Sequence, residues 1–218
     1  MASAQREINL PEHDSKPYYF GITLSYNTSY LHASHHSRFL MYDTVMVVEP
    51  VNAGGFGLGL LATGRISNRF EIRFNPQLTF SEKKLRYSLN YTTPVQDPKP
   101  VKSIESILFS LPIQIKFKSD RIDNFRVYVL GGLKYDYDLA SNSSARRAED
   151  LVKLNKGDYG FEGGIGFNFY FKSFIFSPEI KISNGLSNIH SRDANLKFSN
   201  VLDRLQSRMI VLSIHLEG

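Results

Sequence analysis

Three observations in the sequence predict an all-β fold, an eight-stranded antiparallel up-and-down transmembrane β-barrel. Bulky apolar residues alternate with small or polar residues over eight separate segments. The connections between the segments are alternately long and short. The polar faces carry glycines and charges of both signs. A barrel that spans an outer membrane has this layout, with four long extracellular loops and short periplasmic turns.

The first segment, 18–30, shows the alternation most clearly. Phe20, Ile22 and Leu24 share one face, whereas Gly21 and Thr23 lie on the other. The pattern continues for more positions than a typical soluble strand has. Seven similar segments follow at 52–64, 69–80, 104–118, 125–138, 158–171, 174–186 and 204–217, and the last has the weakest pattern. Pro76, Pro112 and Pro178 fall inside segments and predict bulges or missing ladder bonds.

The connections divide into two classes by length. The long ones fall at about 31–51, 81–103, 139–157 and 187–203, and the short ones near 65–69, 119–124 and 172–173. This arrangement places both termini on the side of the short turns. Within the third long connection, 145–154 lacks Gly and Pro and predicts a short helix.

Residues 1–17 are predicted to form a flexible, periplasmic lead-in to a barrel at 18–218. The segment is polar and contains Pro11 and Pro17, which favour an extended, mobile chain. Ala2, Ser3 and Ala4 resemble the end of a signal peptide, and we expect that peptide to be removed after Ala4. A chance run of small residues is the alternative.

The size of the side chains decides which face points inward. An eight-stranded barrel has a narrow interior, so the small polar face should line the lumen and the bulky face should meet lipid. The inward charges would then need partners, because an unpaired buried charge is costly. We expect a lumen filled by ion pairs, with little conductance, formed by Glu71, Arg73, Lys116, Arg126, Lys134, Asp136, Glu162, Glu179 and Lys181.

Composition and motifs exclude several function classes. The net charge of +5 comes from scattered Lys and Arg, which argues against nucleic-acid binding. The absence of Cys excludes disulfides and thiol chemistry. Glycines at 54–59 alternate within a strand, whereas a phosphate-binding loop joins a strand to a helix. We therefore predict no cofactor and no small-molecule substrate.

Two histidine groups are candidates for other chemistry. His32, His35 and His36 lie in the first long connection, where no helix would present them to a metal. His190 and Asp193 lie in the fourth, where a rim-site enzyme could use them. A solvated loop is the simpler interpretation of both groups, so we predict no catalytic residue and no metal site.

Several motifs together resemble the PorT family of outer-membrane β-barrels from Bacteroidota. They are Asn9-Leu10-Pro11, Tyr18-Tyr19-Phe20-Gly21-Ile22, the run Phe70 to Leu78, Leu111-Pro112, Tyr128-Val129-Leu130-Gly131-Gly132, Gly163-Gly164-Ile165-Gly166 and Ser177-Pro178-Glu179-Ile180. The resemblance spans nearly the whole chain. It implies a non-enzymatic role in type IX protein secretion, with gliding motility in some species.

This resemblance implies lipid and other secretion-system proteins as partners. Contact surfaces would be the long loops, the lead-in and the basic turn residues Arg65, Arg69, Lys118, Arg121 and Lys172. Three alternatives remain open: an adhesin or membrane-anchoring barrel, a rim-site enzyme, and a channel.

Overall fold

A computed structural model describes residues 7–35, 45–89, 101–140, 155–189 and 202–218. After a 3-10 helix at Pro11–Asp14, the described residues form eight barrel strands. The strands are β1 (Tyr18–His35), β2 (Val45–Val51 and Ala53–Arg65), β3 (Phe70–Phe74 and Gln77–Leu89), β4 (Val101–Lys118), β5 (Phe125–Asp138), β6 (Gly157–Tyr170), β7 (Ile175–Gly185) and β8 (Leu202–Glu217). No helix in the described residues is long and apolar enough to cross a membrane.

The sheet closes on itself, which confirms the predicted fold class. Each strand pairs antiparallel with its neighbours in sequence, and β1 pairs with both β2 and β8. The closing pair runs from Gly21 opposite Glu217 to His35 opposite Leu202. Closure gives both edges of the sheet a hydrogen-bonding partner, which a membrane-embedded sheet requires.

Four strands extend by three residues or more beyond the predicted segments at the long-loop end. β1 continues to His35, β2 begins at Val45, β3 continues to Leu89 and β4 begins at Val101. Much of the predicted first and second long loops is therefore strand. The alternation of side chains ends before the ladder does, because backbone hydrogen bonds hold strands together whatever the side chains are. The helix predicted at 145–154 lies outside the described residues.

Several irregularities interrupt the ladder, including register shifts at Ser34/His35 and at Val45/Val47. Val51 pairs with Lys84 and Gly55 with Ser81, so β2 carries one extra residue, a bulge near Asn52. β3 is interrupted between Phe74 and Gln77, where the sequence has Pro76. The proline prediction is thus correct for that position.

At Pro112 and Pro178, of the two predicted outcomes, the structure shows missing ladder bonds and no bulge. Pro112 pairs with Lys134 and Pro178 with Ile214 in uninterrupted register. Each proline lacks an N–H donor, but its ring fits the extended backbone, so the strand continues with one donor fewer.

The apolar face points outward, as predicted. Phe20, Leu60 and Ile113 are more than half exposed on the outside, whereas Thr23 and Asn75 are buried inside. Inward glycines make room for larger inward side chains. A Cβ atom on Gly166 would lie 2.3 Å from the ring of Tyr128, its cross-strand neighbour.

Candidate functional site: the filled lumen and its short-turn end

A charged cluster crosses the middle of the lumen. The guanidinium of Arg73 (β3) is fully buried and donates to Glu179 Oε2 (β7) at 2.8 Å and to Glu217 Oε1 (β8) at 3.0 Å. The hydroxyl of Tyr128 (β5) donates to Glu179 Oε2 at 2.8 Å, and His215 Nε2 (β8) lies 3.3 Å from the same oxygen. One arginine therefore joins two carboxylates on different strands, in the fully desolvated form that is costly to break.

A second cluster lies toward the short-turn end. Glu71 accepts hydrogen bonds from Lys118 and, at 2.9 Å, from the hydroxyl of Tyr19. Lys116 Nζ lies 3.8 Å from Glu71 Oε2. The same ammonium group lies 4.0 Å from the ring centroid of Tyr128, at cation–π distance. This contact links the second cluster to the central one.

A third cluster lies toward the long loops. Glu162 accepts a hydrogen bond from Gln114, and its other oxygen lies 3.6 Å from Lys181 Nζ. Lys134 Nζ contacts Asp136 Oδ2 at 2.5 Å. These side chains line a cavity of about 20 Å³ in this part of the lumen. It has room for about one water molecule.

All nine inward charges named in the sequence analysis lie inside the barrel. Each is 9% exposed or less: Glu71, Arg73, Lys116, Arg126, Lys134, Asp136, Glu162, Glu179 and Lys181. Eight belong to the three clusters. The exception is Arg126, which donates to Tyr170 Oη at 3.1 Å and to Asp14 of the lead-in at 3.0 Å.

Four side chains of these clusters, Tyr19, Tyr128, His215 and Glu217, were not among the residues predicted to form the lumen network. His215 and Glu217 share the strand face of Ser213, so the alternation itself carried the signal for them. Tyr128 likewise shares the face of Arg126, but its bulk suggests an outward position. Tyr19 gave no signal, because both Tyr18 and Phe20 beside it are also aromatic.

The lead-in is bound to the short-turn end of the barrel. Asn9 donates from its backbone N–H to Asn124 Oδ1 at 2.8 Å and from Nδ2 to the carbonyl of Tyr170 at 2.9 Å. Asp14 accepts from Arg121 and Arg126, each at 3.0 Å. The expectation of an extended chain is wrong for Pro11–Asp14, which form the 3-10 helix, because Pro11 sets the helical φ at its first position.

His13 is the residue of the lead-in that enters the barrel mouth. Its side chain is 5% exposed, and its ring centroid lies 4.5 Å from that of Tyr19 and 6.3 Å from that of Tyr170. Arg65 Nη2 donates to the backbone carbonyl of His13 at 3.1 Å. Burial lowers the pKa of His13 from 6.5 to about 4, although the carboxylates of Glu217 and Glu71 oppose this shift.

The basic turn residues divide between internal and exposed positions. Arg65 and Arg121 hold the lead-in. The prediction that Lys118 forms a surface contact is wrong, because Lys118 continues the inward face of β4 and binds Glu71. Arg69 is exposed and pairs with Asp120 at 2.9 Å, and Lys172 is exposed in the turn between β6 and β7.

The structure describes some residues of the two histidine groups and not others. His32 and His35 lie in strand β1 rather than in a loop, because the β1–β8 ladder continues to that point. Within the described ranges, no three His, Asp or Glu side chains are grouped as metal ligands. His36, His190 and Asp193 lie outside the described residues.

Comparison with known proteins agrees with this architecture. The model of the family "Outer membrane protein beta-barrel domain" matches residues 8–191. Among solved structures, the chain is similar to OprG of Pseudomonas aeruginosa, at 15% identity and a TM-score of 0.49, covering 93% of this chain and 95% of OprG.

Two further solved structures are similar at lower scores. Ail, the attachment invasion locus protein of Yersinia pestis solved with the heparin analogue sucrose octasulfate, is 11% identical, with a TM-score of 0.39 and coverage of 93% of this chain and 100% of Ail. Neisserial surface protein A is 14% identical, with a TM-score of 0.39 and coverage of 90% and 95%. No curated protein matches the sequence. The chain belongs to the outer membrane protein β-barrel domain family, and its place is the bacterial outer membrane.

Proposed function

We propose that this barrel is a non-enzymatic binding protein that acts through its two ends and does not conduct solutes. The observation that carries the proposal is the buried bridge from Arg73 to Glu179 and Glu217, which spans the lumen between three strands. A solute would have to separate these charges in a low-dielectric interior, which costs several kcal/mol.

The two ends offer different surfaces. At the long-loop end, β3 carries the outward charged residues Glu82, Lys84 and Arg86 beyond its apolar stretch. At the short-turn end, the lead-in covers the mouth, and Arg69 and Lys172 are exposed at its border. Partners in the periplasm would meet this second surface, and partners outside the cell would meet the first.

The narrower proposal is a component or assembly factor of the type IX secretion system. The resemblance of the strand motifs to the PorT family supports it, together with an ordered, basic short-turn end that a periplasmic protein could bind. Deletion of the gene should abolish secretion of type IX cargo. A variant that keeps the barrel but lacks residues 7–17 should still fold, but cells that carry it should secrete the cargo poorly. Normal secretion after the deletion would refute this role.

An adhesin or membrane-anchoring barrel is the second candidate. The extension of β1 to β4 past the membrane-facing segments favours it, because this builds a sheet that projects toward the cell exterior. The same deletion distinguishes the two proposals: loss of surface attachment with intact secretion supports the adhesin.

Planar-bilayer recording tests the closed lumen that both candidates share. The wild-type barrel should show no steady conductance at neutral pH. A stable open state of the folded protein would contradict the proposal.

The enzyme alternative is tested separately. If alanine variants at His190 and Asp193 leave the phenotype unchanged, its candidate catalytic residues are removed.

A further inference from the structure

An outward-facing arginine lies where the lipid-facing surface of β1, β7 and β8 meets the long-loop end. Arg208 on β8 is exposed on the outer face. It is nine positions from Glu217, roughly 23 Å along the barrel axis for a tilted strand, and the apolar band of such barrels is about 25 Å tall. Arg208 therefore lies near the outer border of the band.

The side chains around Arg208 are arranged in two rows by the strand register. Tyr30, Arg208 and Asn184 are direct neighbours across β1, β8 and β7. One row closer to the membrane centre, Thr28, Ile210 and Ile182 are neighbours in the same way. The upper row thus offers polar groups and the lower row a mainly apolar surface.

These rows line a concave surface with a volume of about 710 Å³. Its lining also includes Phe161, Leu186 and Gln206. Gln206 Nε2 points to the carbonyls of Gly185 and Leu186, at 3.4 Å each, at the border with the long-loop end. The surface is therefore amphipathic, with hydrogen-bonding groups at its outer end and aliphatic and aromatic groups below.

The charge of Arg208 has no acidic counterpart in the described part of the chain. Among the outward side chains described on β5, β6 and β7 and at positions 18–32 of β1 and 206–216 of β8, Arg208 alone carries a formal charge. No ion pair to it occurs among the described residues. By contrast, Lys84 on the outer face of β3 pairs with Glu82 at 2.8 Å.

We propose that this surface binds an anionic, phosphate-bearing lipid of the outer leaflet. The guanidinium of Arg208 presents several N–H donors in a plane that matches a phosphate group. Tyr30 and Asn184 stand beside it to donate further hydrogen bonds, and Ile210, Ile182 and Phe161 would contact the acyl chain. The site is independent of the end surfaces invoked for the proposed function.

The test uses the full-length folded barrel in a neutral detergent, with lipid binding measured by native mass spectrometry. Dioleoyl phosphatidic acid should bind about tenfold more tightly than dioleoyl phosphatidylcholine. Arg208→Met should remove this preference. Arg86→Met is the matched control, because Arg86 is another exposed, outward arginine at the long-loop end, and it should keep the preference.

Three results would overturn the proposal. They are equal binding of the two lipids by the wild type, an unchanged preference in Arg208→Met, and an equal loss in Arg86→Met. Inorganic phosphate is added as a competitor to separate the two sources of the phosphate group. Displacement of the lipid by phosphate at equal concentration would show a simple anion site and overturn the role of the acyl chain, whereas persistence of the lipid supports it.

Discussion

Arg73→Met should destabilise the barrel more than any substitution of an exposed arginine. The wild-type guanidinium is fully buried and forms two ion pairs at 2.8 and 3.0 Å. Each contact corresponds to about 6 kcal/mol of gross Coulomb attraction at an effective dielectric constant of about 20. Most of this attraction offsets the cost of desolvating the charged groups. Removal of the Arg73 guanidinium, however, leaves the carboxylates of Glu179 and Glu217 buried without their cationic partner. We therefore expect a loss of about 3–5 kcal/mol in the free energy of unfolding.

The assay is urea unfolding in lipid vesicles, followed by circular dichroism and by heat-modifiable migration on gels. Arg69→Met is the control, since the Arg69–Asp120 pair is exposed and should contribute at most about 1 kcal/mol. The triple variant with Glu179→Gln and Glu217→Gln should recover part of the loss, because it removes the unpaired charges. If Arg73→Met and Arg69→Met differ by less than about 1 kcal/mol, the account of the lumen is wrong.

Three further perturbations test other parts of the structure. Gly166→Ala should cost about 1–3 kcal/mol of unfolding free energy, because the new methyl group meets the Tyr128 ring at 2.3 Å, whereas Gly163→Ala, whose nearest contact is 3.7 Å, should change it little. Burial lowers the pKa of His13 to about 4, so the folded state favours the neutral imidazole. The contribution of His13 to the free energy of unfolding is therefore complete above pH 6.5 and is lost as the pH falls toward 4. The loss should be up to about 3 kcal/mol, and a His13→Asn variant with the same pH profile as wild type would contradict this origin. Asp14→Asn weakens the bonds to its two arginine partners and should speed protease cleavage within the lead-in, and an unchanged cleavage rate would refute the anchoring role.

The barrel was predictable because its evidence is local. Alternation along one strand states which side chains point the same way, and the narrow interior states which of the two faces must be inside. The inward positions of Arg73, Lys116 and Glu179 follow from these two rules alone. The ends of β1 to β4 were not predictable by the same rule, because the ladder continues where the alternation ends.

The partners within the lumen could not be derived from the sequence. Arg73 lies 106 residues from Glu179 and 144 from Glu217 in the chain, and many pairings of the inward charges satisfy the alternation equally well. The choice depends on the stagger of the closed sheet, which sets the height of each side chain along the axis. The lead-in is a similar case, since Asn9 meets Tyr170 only after the whole barrel has closed.

The sequence by itself therefore determined the class of the barrel, its lipid-facing surface and the set of charges that must be buried. Those properties depend on the two-residue alternation of apolar and polar side chains and on side-chain size. Both can be read from short stretches of the sequence. Only the tertiary structure decided which charges meet, that His13 enters the mouth, and that Arg208 faces the membrane border without an acidic partner among the described residues. These depend on which strands become neighbours and at what height, and that is fixed when β1 pairs with β8.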